Sequence, residues 1–129
     1  MKRAVSPSFD VTHPAFDFEC RIATCVVNGV RIAATYVPNG GKDYDAKLRF
    51  LTDLAGLAAE HARAGRPLLL CGDMNVAHQD TDVHPKERKA GAIGQREDER
   101  ALFGTLLGLT LARFHIMDVG LTVYITFLY

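Results

Sequence analysis

Residues 66–75, RPLLLCGDMN, limit the fold more than any other stretch of the chain. Pro67 is tolerated where a strand begins, and Leu68, Leu69, Leu70 and Cys71 form an unbroken apolar run that reads as a strand buried on both faces. Gly72 is expected to let the chain turn sharply at the carboxyl end of that strand, presenting Asp73 and Asn75 in the open. Open α/β sheets collect their ligands at such strand ends, and an acid beside an amide there suits a metal or phosphate site. Gly, Asp and Asn are also favoured in ordinary turns, so the spacing by itself leaves both readings open.

Upstream, Asn28-Gly29 lies between runs of β-branched and apolar residues and predicts an antiparallel hairpin over 19–37. With a two-residue turn, Val27 pairs with Val30. One face then carries Ala23, Cys25, Val30, Ile32 and Ala34, with Tyr36 opposite Arg21 at a polar end, and this is the expected core face. Pro38-Asn39-Gly40-Gly41 breaks the strand. Leu48, Leu51, Ala55, Ala58 and Ala62, widened by Leu54 and Leu57, predict a helix with Asp45 as N-cap, Gly65 just past its end and Pro67 blocking continuation. Hairpin, helix, strand is an α/β arrangement.

Residues 76–95 show no period and carry His78, Asp80, Asp82, His84, Lys86, Arg88 and Lys89. A polar loop of that length is usually functional or disordered. Glu97, Asp98 and Glu99 then open a second helix with acids at its positive end, Leu102, Phe103, Leu106 and Leu107 supply its apolar face, and Gly108 closes it. Gly104 within it costs about 1 kcal/mol relative to alanine. Residues 1–17 read as an irregular, loosely held lead-in, and residues 119–129 are a β-prone uncharged run.

With 129 residues, nearly half of them hydrophobic, the chain is expected to be one domain or part of one. Fifteen basic residues balance fifteen acidic ones, so a nucleic-acid partner needs a local groove rather than a general positive field. Cys20, Cys25 and Cys71 are odd in number and sit in apolar, strand-like sequence, which points to buried free thiols and a reducing, cytoplasmic setting. No signal peptide is indicated, and no run reaches the ~20 apolar residues of a membrane span. A zinc site built from Cys20, Cys25, His78 and His84 is rejected because cysteines five apart on one strand point to opposite faces. Ser6, Ser8 and His13 lack the setting of a hydrolase triad.

Taken together, TYVPNGG at 35–41, PLLLCGDMN at 67–75, DVHPKE at 82–87 and EDERALF at 97–103 resemble the exonuclease III class of apurinic/apyrimidinic endonucleases, within the larger endonuclease/exonuclease/phosphatase superfamily. The resemblance spans 18–109 in the family's order. It implies part of a four-layer α/β sandwich, two packed sheets flanked by helices. It also implies magnesium-dependent hydrolysis, with manganese as a substitute, of a phosphodiester beside an abasic site or at a 3′ end of double-stranded DNA, in base excision repair. By position, Tyr36 matches the tyrosine that contacts the scissile phosphate, Asp73 the acid at the centre of the proton and metal chemistry, and Asn75 the amide that orients phosphate and nucleophile. Asp73 and Asn75 are the implied metal ligands, and Pro38 and Gly72 match scaffold positions. No protein partner is implied.

Phosphoryl transfer to water asks for a positioned nucleophile, charge stabilisation and a hard cation, and carboxylate, amide and phenol groups meet those needs. Lys86, Arg88 and Lys89 are candidates for phosphate contact, against the plainer account of a solvated loop. The family's metal-binding glutamate belongs to a segment preceding Phe18, its closing Ser-Asp-His motif is absent, an acid is usual where Leu111 stands, and the chain has no tryptophan. The expected organisation is therefore a lead-in (1–17), the central part of a nuclease domain (18–109) and an atypical tail (110–129), an incomplete domain whose alternative role is scaffold or DNA contact without catalysis. A superfamily phosphatase is disfavoured by YVPNGG.

Overall fold

The computed structural model describes residues 10–109 throughout, and residues 112–118 and 121–128 as strands. Strands β1 (Ile22–Val27) and β2 (Val30–Tyr36) are followed by helix α1 (Tyr44–Arg63), strand β3 (Leu68–Asp73), helix α2 (Glu97–Gly108) and strands β4 (Ala112–Asp118) and β5 (Leu121–Leu128). The strands form one sheet in the order β1-β2-β3-β5-β4. β2 and β3 run parallel and every other pair is antiparallel.

The hairpin forms with the expected register. Val27 pairs with Val30, and Asn28 and Gly29 both take positive φ (50° and 80°), which matches the turn to the twist of the strands. Its buried face is the opposite of the one expected. Ile22, Thr24, Ala33 and Thr35 point into the core, whereas Ala23 and Ala34 are exposed and Cys25, Val30 and Ile32 only half-buried. Both faces of this hairpin carry small apolar side chains, so alternation does not discriminate between them. The β2-α1-β3 crossover decides the matter, because a parallel connection has one favoured hand and lays its helix on one face. Of the two threonines on that face, Thr24 finds partners, since the Thr12 and Thr24 hydroxyls share a 2.7 Å hydrogen bond and Arg31 donates to Thr24, whereas the buried Thr35 hydroxyl makes no hydrogen bond among the described residues.

Helix α1 is capped by Asp43, whose carboxylate accepts from the Ala46 N–H at 2.8 Å, so Asp45 lies in the first turn instead of at the cap. Gly65 follows the last turn with φ +61°, as expected of a residue just past a helix end. The buried stripe runs through Lys47, Phe50, Leu51, Leu54, Ala55, Ala58 and His61, rotated from the expected one so that two polar residues face inward. Phe103, Leu106 and Leu107 of α2 complete a single core with Ile22, Ala33, Leu68, Leu70, Met74 and Val76.

Two features of β3 differ from expectation. Leu68 and Leu70 are buried but Leu69 and Cys71 are half-buried, so the strand is not covered equally on both faces. The strand also continues through Gly72 to Asp73. Gly72 (φ +132°) is required by closeness, since a Cβ there would collide with the backbone carbonyl of Thr35, its register partner on β2. The turn comes later, at Asn75, with φ +50°.

The lead-in is irregular but anchored from residue 10 onward; residues 1–9 lie outside the described residues. Thr12 forms an isolated bridge with Thr24, His13 Nδ1 donates to the Ile22 carbonyl (2.6 Å), and the buried Asp17 carboxylate accepts the N–H groups of Arg21 and Ile22 (2.7 Å each). Cys20 is exposed and precedes β1, while Cys25 and Cys71 are half-buried, which corrects the expectation of three buried strand thiols and removes the strand argument against zinc. The side chains of the tail lie outside the described residues, but its backbone forms β4 and β5, and β5 pairs with β3 along all of Leu68–Asp73. No helix among the described residues is long and apolar enough to cross a membrane.

Candidate active site

The parallel register of β2 and β3 pairs Tyr36 with Asp73, so both stand at strand carboxyl ends, side by side. The Val37 N–H donates to the Asp73 carbonyl at 2.9 Å, which locks the two ends together one residue beyond the ladder. Past Asp73, Met74 and Val76 sink into the core, so Asp73 and Asn75 alternate with them and remain half-buried at the surface. The Asn75 N–H donates to Asp73 Oδ1 at 2.9 Å, an Asx turn, and Asn75 Nδ2 donates to the Val37 carbonyl at 2.7 Å. The three residues singled out in the sequence are thus gathered at one site. The turn geometry offered as the plain account of Asp73 is present as well, and it is what aims the carboxylate.

Tyr36 is 52% exposed, and the Arg21 guanidinium stands 5.7 Å from its ring centroid. Arg21 is held there by Glu19, with which it pairs, and by the backbone bond from the Tyr36 N–H to the Arg21 carbonyl (2.9 Å). Hairpin register had already placed Arg21 opposite Tyr36, but nothing in the sequence marked it as a cation beside the site. Glu19 is occupied with Arg21.

The long loop after the site is organised by short-range bonds. Two 3-10 turns, Asp80–Asp82 and Pro85–Glu87, break it up. Asp80 pairs with Arg100 at 2.9 Å, Arg100 also donates to the Ala77 carbonyl, His84 Nδ1 accepts from the Lys86 N–H, and His78 packs edge-on against Phe103. Arg88 donates to the Val83 carbonyl, so one of the three candidate phosphate cations is engaged within the loop. The Tyr44 hydroxyl donates to Asp98 at 2.6 Å and joins the first turns of α1 and α2. Burial first, then that bond, pushes the Tyr44 phenol up, and the same bond holds the Asp98 carboxyl below its usual range. An open cleft of about 1040 Å³ lies between the lead-in and the loop before α1, lined by Phe16, Arg21, Pro38, Lys42, Asp43 and Phe50 among others. It does not include Tyr36, Asp73 or Asn75.

The donor set suits a hard cation in one respect: Asp73 and Asn75 offer oxygen only, from a carboxylate and an amide, at a half-exposed turn. No group of three or more His, Cys, Asp and Glu residues that could hold a metal occurs among the described residues. Magnesium needs only one or two protein carboxylates, so the fit is to a site completed by water and phosphate oxygens.

A sequence profile of the Endonuclease/Exonuclease/phosphatase family matches residues 3–124. The chain belongs to that family. Among its relatives, a DNA-(apurinic or apyrimidinic site) endonuclease of Dictyostelium discoideum is 33% identical over 113 residues, covering 82% of this chain and 30% of the relative. An exodeoxyribonuclease of Bacillus subtilis is 33% identical over 94 residues, covering 70% of this chain and 37% of the relative. The structure of the 3′ phosphatase NExo from Neisseria, bound to a product DNA hairpin, superposes with a TM-score of 0.68 at 22% identity over 96% of this chain and 60% of that one. This last likeness supports the family's α/β fold. The chain spans about a third of the length of these two curated relatives.

Two further residues of the family member escaped the sequence reading. Lys47 and Glu99 are fully buried and paired with each other directly beneath the site.

Proposed function

We propose that this chain is the central part of a magnesium-dependent DNA phosphodiesterase of the exonuclease III class, cutting beside abasic sites and removing nucleotides from 3′ ends of double-stranded DNA. One observation carries the proposal: Tyr36 and Asp73 are register partners at parallel strand ends, and Asn75 is tied to both strands by its N–H and its side-chain amide. Names of relatives that act on apurinic sites or degrade DNA, and a neighbour bound to DNA, support the substrate class. The half-exposed apolar face of the sheet, with Cys25, Ile32, Leu69 and Cys71, supports a four-layer arrangement in which a second sheet packs against it. The free cysteines support a reducing, cytoplasmic setting.

In the proposed reaction a water oxygen forms a bond to phosphorus and the bond from phosphorus to the leaving oxygen breaks. The Asp73 carboxylate takes the water proton, and the leaving oxygen is protonated from solvent. Asn75 donates to the phosphate and orients the nucleophile, and the Tyr36 hydroxyl donates to a non-bridging oxygen. Asp73 and Asn75 would hold magnesium, or manganese in its place, which when bound would supply charge neutralisation to the phosphate.

The test is to graft residues 18–109 in place of the matching segment of the Bacillus subtilis relative and follow cleavage of an abasic-site duplex. Magnesium-dependent cleavage is expected, with Asn75→Ala lowering single-turnover rates by about 10²-fold and Tyr36→Phe lowering them as well. A folded graft whose rate is untouched by both substitutions refutes the assignment. A second reading, DNA contact or scaffolding without catalysis, is consistent with the described residues containing no group of three or more His, Cys, Asp and Glu that could hold a metal. Magnesium-dependent cleavage by the 129-residue chain alone, abolished by Asp73→Asn, would exclude it.

A further inference from the structure

We propose that Lys47, clamped by Glu99, is the positioning residue that holds Asn75 in its left-handed conformation and so sets the geometry of the Asp73–Asn75 turn. The inference rests on the reading of Asn75 as a site residue, but its structural part can be tested without it.

Lys47 lies in the buried stripe of α1, where an apolar side chain would be expected, and its side chain is 0% exposed. Its Nζ donates to the Asn75 carbonyl at 2.7 Å and forms an ion pair with Glu99, which is also 0% exposed. The other Glu99 oxygen accepts the N–H groups of Gly94 and Arg96, and the Ala77 N–H donates to the Gly94 carbonyl (2.8 Å), so the carboxylate also ties down the return of the long loop. At the near end of the lysine, a Cβ on Gly40 (φ +88°) would come within 2.8 Å of Lys47 Cδ, so this glycine leaves room for the stem. The buried ammonium thus joins the stretches 67–75 and 97–103, while the lysine stem passes beside Gly40 in the stretch 35–41.

Stability does not account for such a pair. The desolvation of two buried charges roughly cancels their attraction, and a well-packed apolar pair of similar volume commonly does as well or better. Geometry gives a better account. Asn75 is a non-glycine residue at φ +50°, a conformation that persists only where its surroundings over-determine it. Its N–H and its side chain bond to Asp73 and Val37, at the ends of the two parallel strands. Its carbonyl points toward the helices, where a long donor reaching from α1 meets it. Lysine supplies that donor, and Glu99 supplies the countercharge beside it.

The test uses the full 129-residue chain. In the unmodified protein, the Lys47 ammonium should give a slowly exchanging NMR signal with a cross-hydrogen-bond coupling to the Asn75 carbonyl carbon; its absence overturns the proposal without any variant. In Lys47→Met/Glu99→Leu, which leaves no unpaired buried charge, the sheet should remain folded. Exchange of the Asn75 N–H should then accelerate at least tenfold relative to Leu70, with backbone shifts leaving the positive-φ range. Lys47→Arg should restore protection. A folded double variant with unchanged Asn75 shifts and exchange overturns the proposal. In the grafted nuclease the same double variant should lower kcat and leave KM unchanged. If Asn75→Ala has no effect on turnover there, the functional reading fails while the NMR result still decides the positioning role.

Discussion

Gly72→Ala is expected to destabilise the protein by about 3–5 kcal/mol, although the change adds one methyl group. The backbone φ of +132° at Gly72 is one that side-chain-bearing residues rarely adopt, and holding alanine there costs roughly 1–3 kcal/mol. The added Cβ would also collide with the carbonyl of Thr35. That atom is backbone in the facing strand, so it cannot rotate away, and relief requires β2 and β3 to part at the rung that pairs Thr35 with Gly72. Stretching two ladder hydrogen bonds loses about 1 kcal/mol each. A total near 3–5 kcal/mol is a large share of the roughly 5–15 kcal/mol that stabilises an ordinary domain.

Urea unfolding is the assay, with the loss read as a midpoint shift of more than about 1 M at unchanged slope. Gly56→Ala is the control. Gly56 sits in α1 with nothing within 4 Å of a Cβ, so the same substitution there should stabilise by about 0.5–1 kcal/mol. Opposite signs for one chemical change at two glycines are the signature of close strand approach. A Gly72→Ala protein within about 1 kcal/mol of the parent would refute it, and would release the constraint that keeps Tyr36 and Asp73 adjacent.

Burial, reinforced by the Arg66 guanidinium, holds the His61 imidazole below its ordinary value of 6.5. Between the folded and unfolded values the unfolded chain binds more protons, so this contribution is complete above about pH 6.5 and is lost as pH falls through the folded value. The melting temperature should therefore drop from about pH 7 to 5, and His61→Leu should flatten that slope; an unchanged slope removes His61 as its source. Cys20, exposed, should be alkylated by iodoacetamide well before Cys71, whose thiol is pushed up by burial and donates weakly to the Ala33 carbonyl; equal rates would contradict the placement. Magnesium should bind weakly and through Asp73, so calorimetric titration of the parent and of Asp73→Asn must differ, and equal affinities would take Asp73 out of the site.

The placement of Tyr36, Asp73 and Asn75 was readable because its determinants are local. A strand end, a glycine and two polar residues fall within the ten residues of RPLLLCGDMN, and Asn28-Gly29 sets the hairpin register that puts Tyr36 opposite Arg21. What was misread depends on contacts between distant segments. The hairpin's buried face follows from where the crossover lays α1, and neither strand's composition records that. Gly72 resembles a turn glycine in sequence because the demand on it comes from Thr35, thirty-seven positions earlier on the facing strand. Asp43 replaces Asp45 as the cap although either aspartate can serve chemically, and Tyr44, between them, bonds to the second helix.

Lys47 and Glu99 lie within the helical stripes of their apolar neighbours. A search for a helical stripe counts apolar residues and passes over a charge as a gap. Yet Lys47 falls in step with Phe50, Leu51, Leu54 and Ala58, as Glu99 does with Phe103, Leu106 and Leu107. One helix carries a single cation on its inward stripe and the other a single anion near its first turn. Two helices laid on the same sheet face bring those positions together, and a lone charge in either stripe would be costly enough to require the other. The complementary pair was therefore inferable from the two stripes read jointly. The target of the lysine was not, because the Asn75 carbonyl turns toward α1 in a left-handed conformation that the residue sequence does not record.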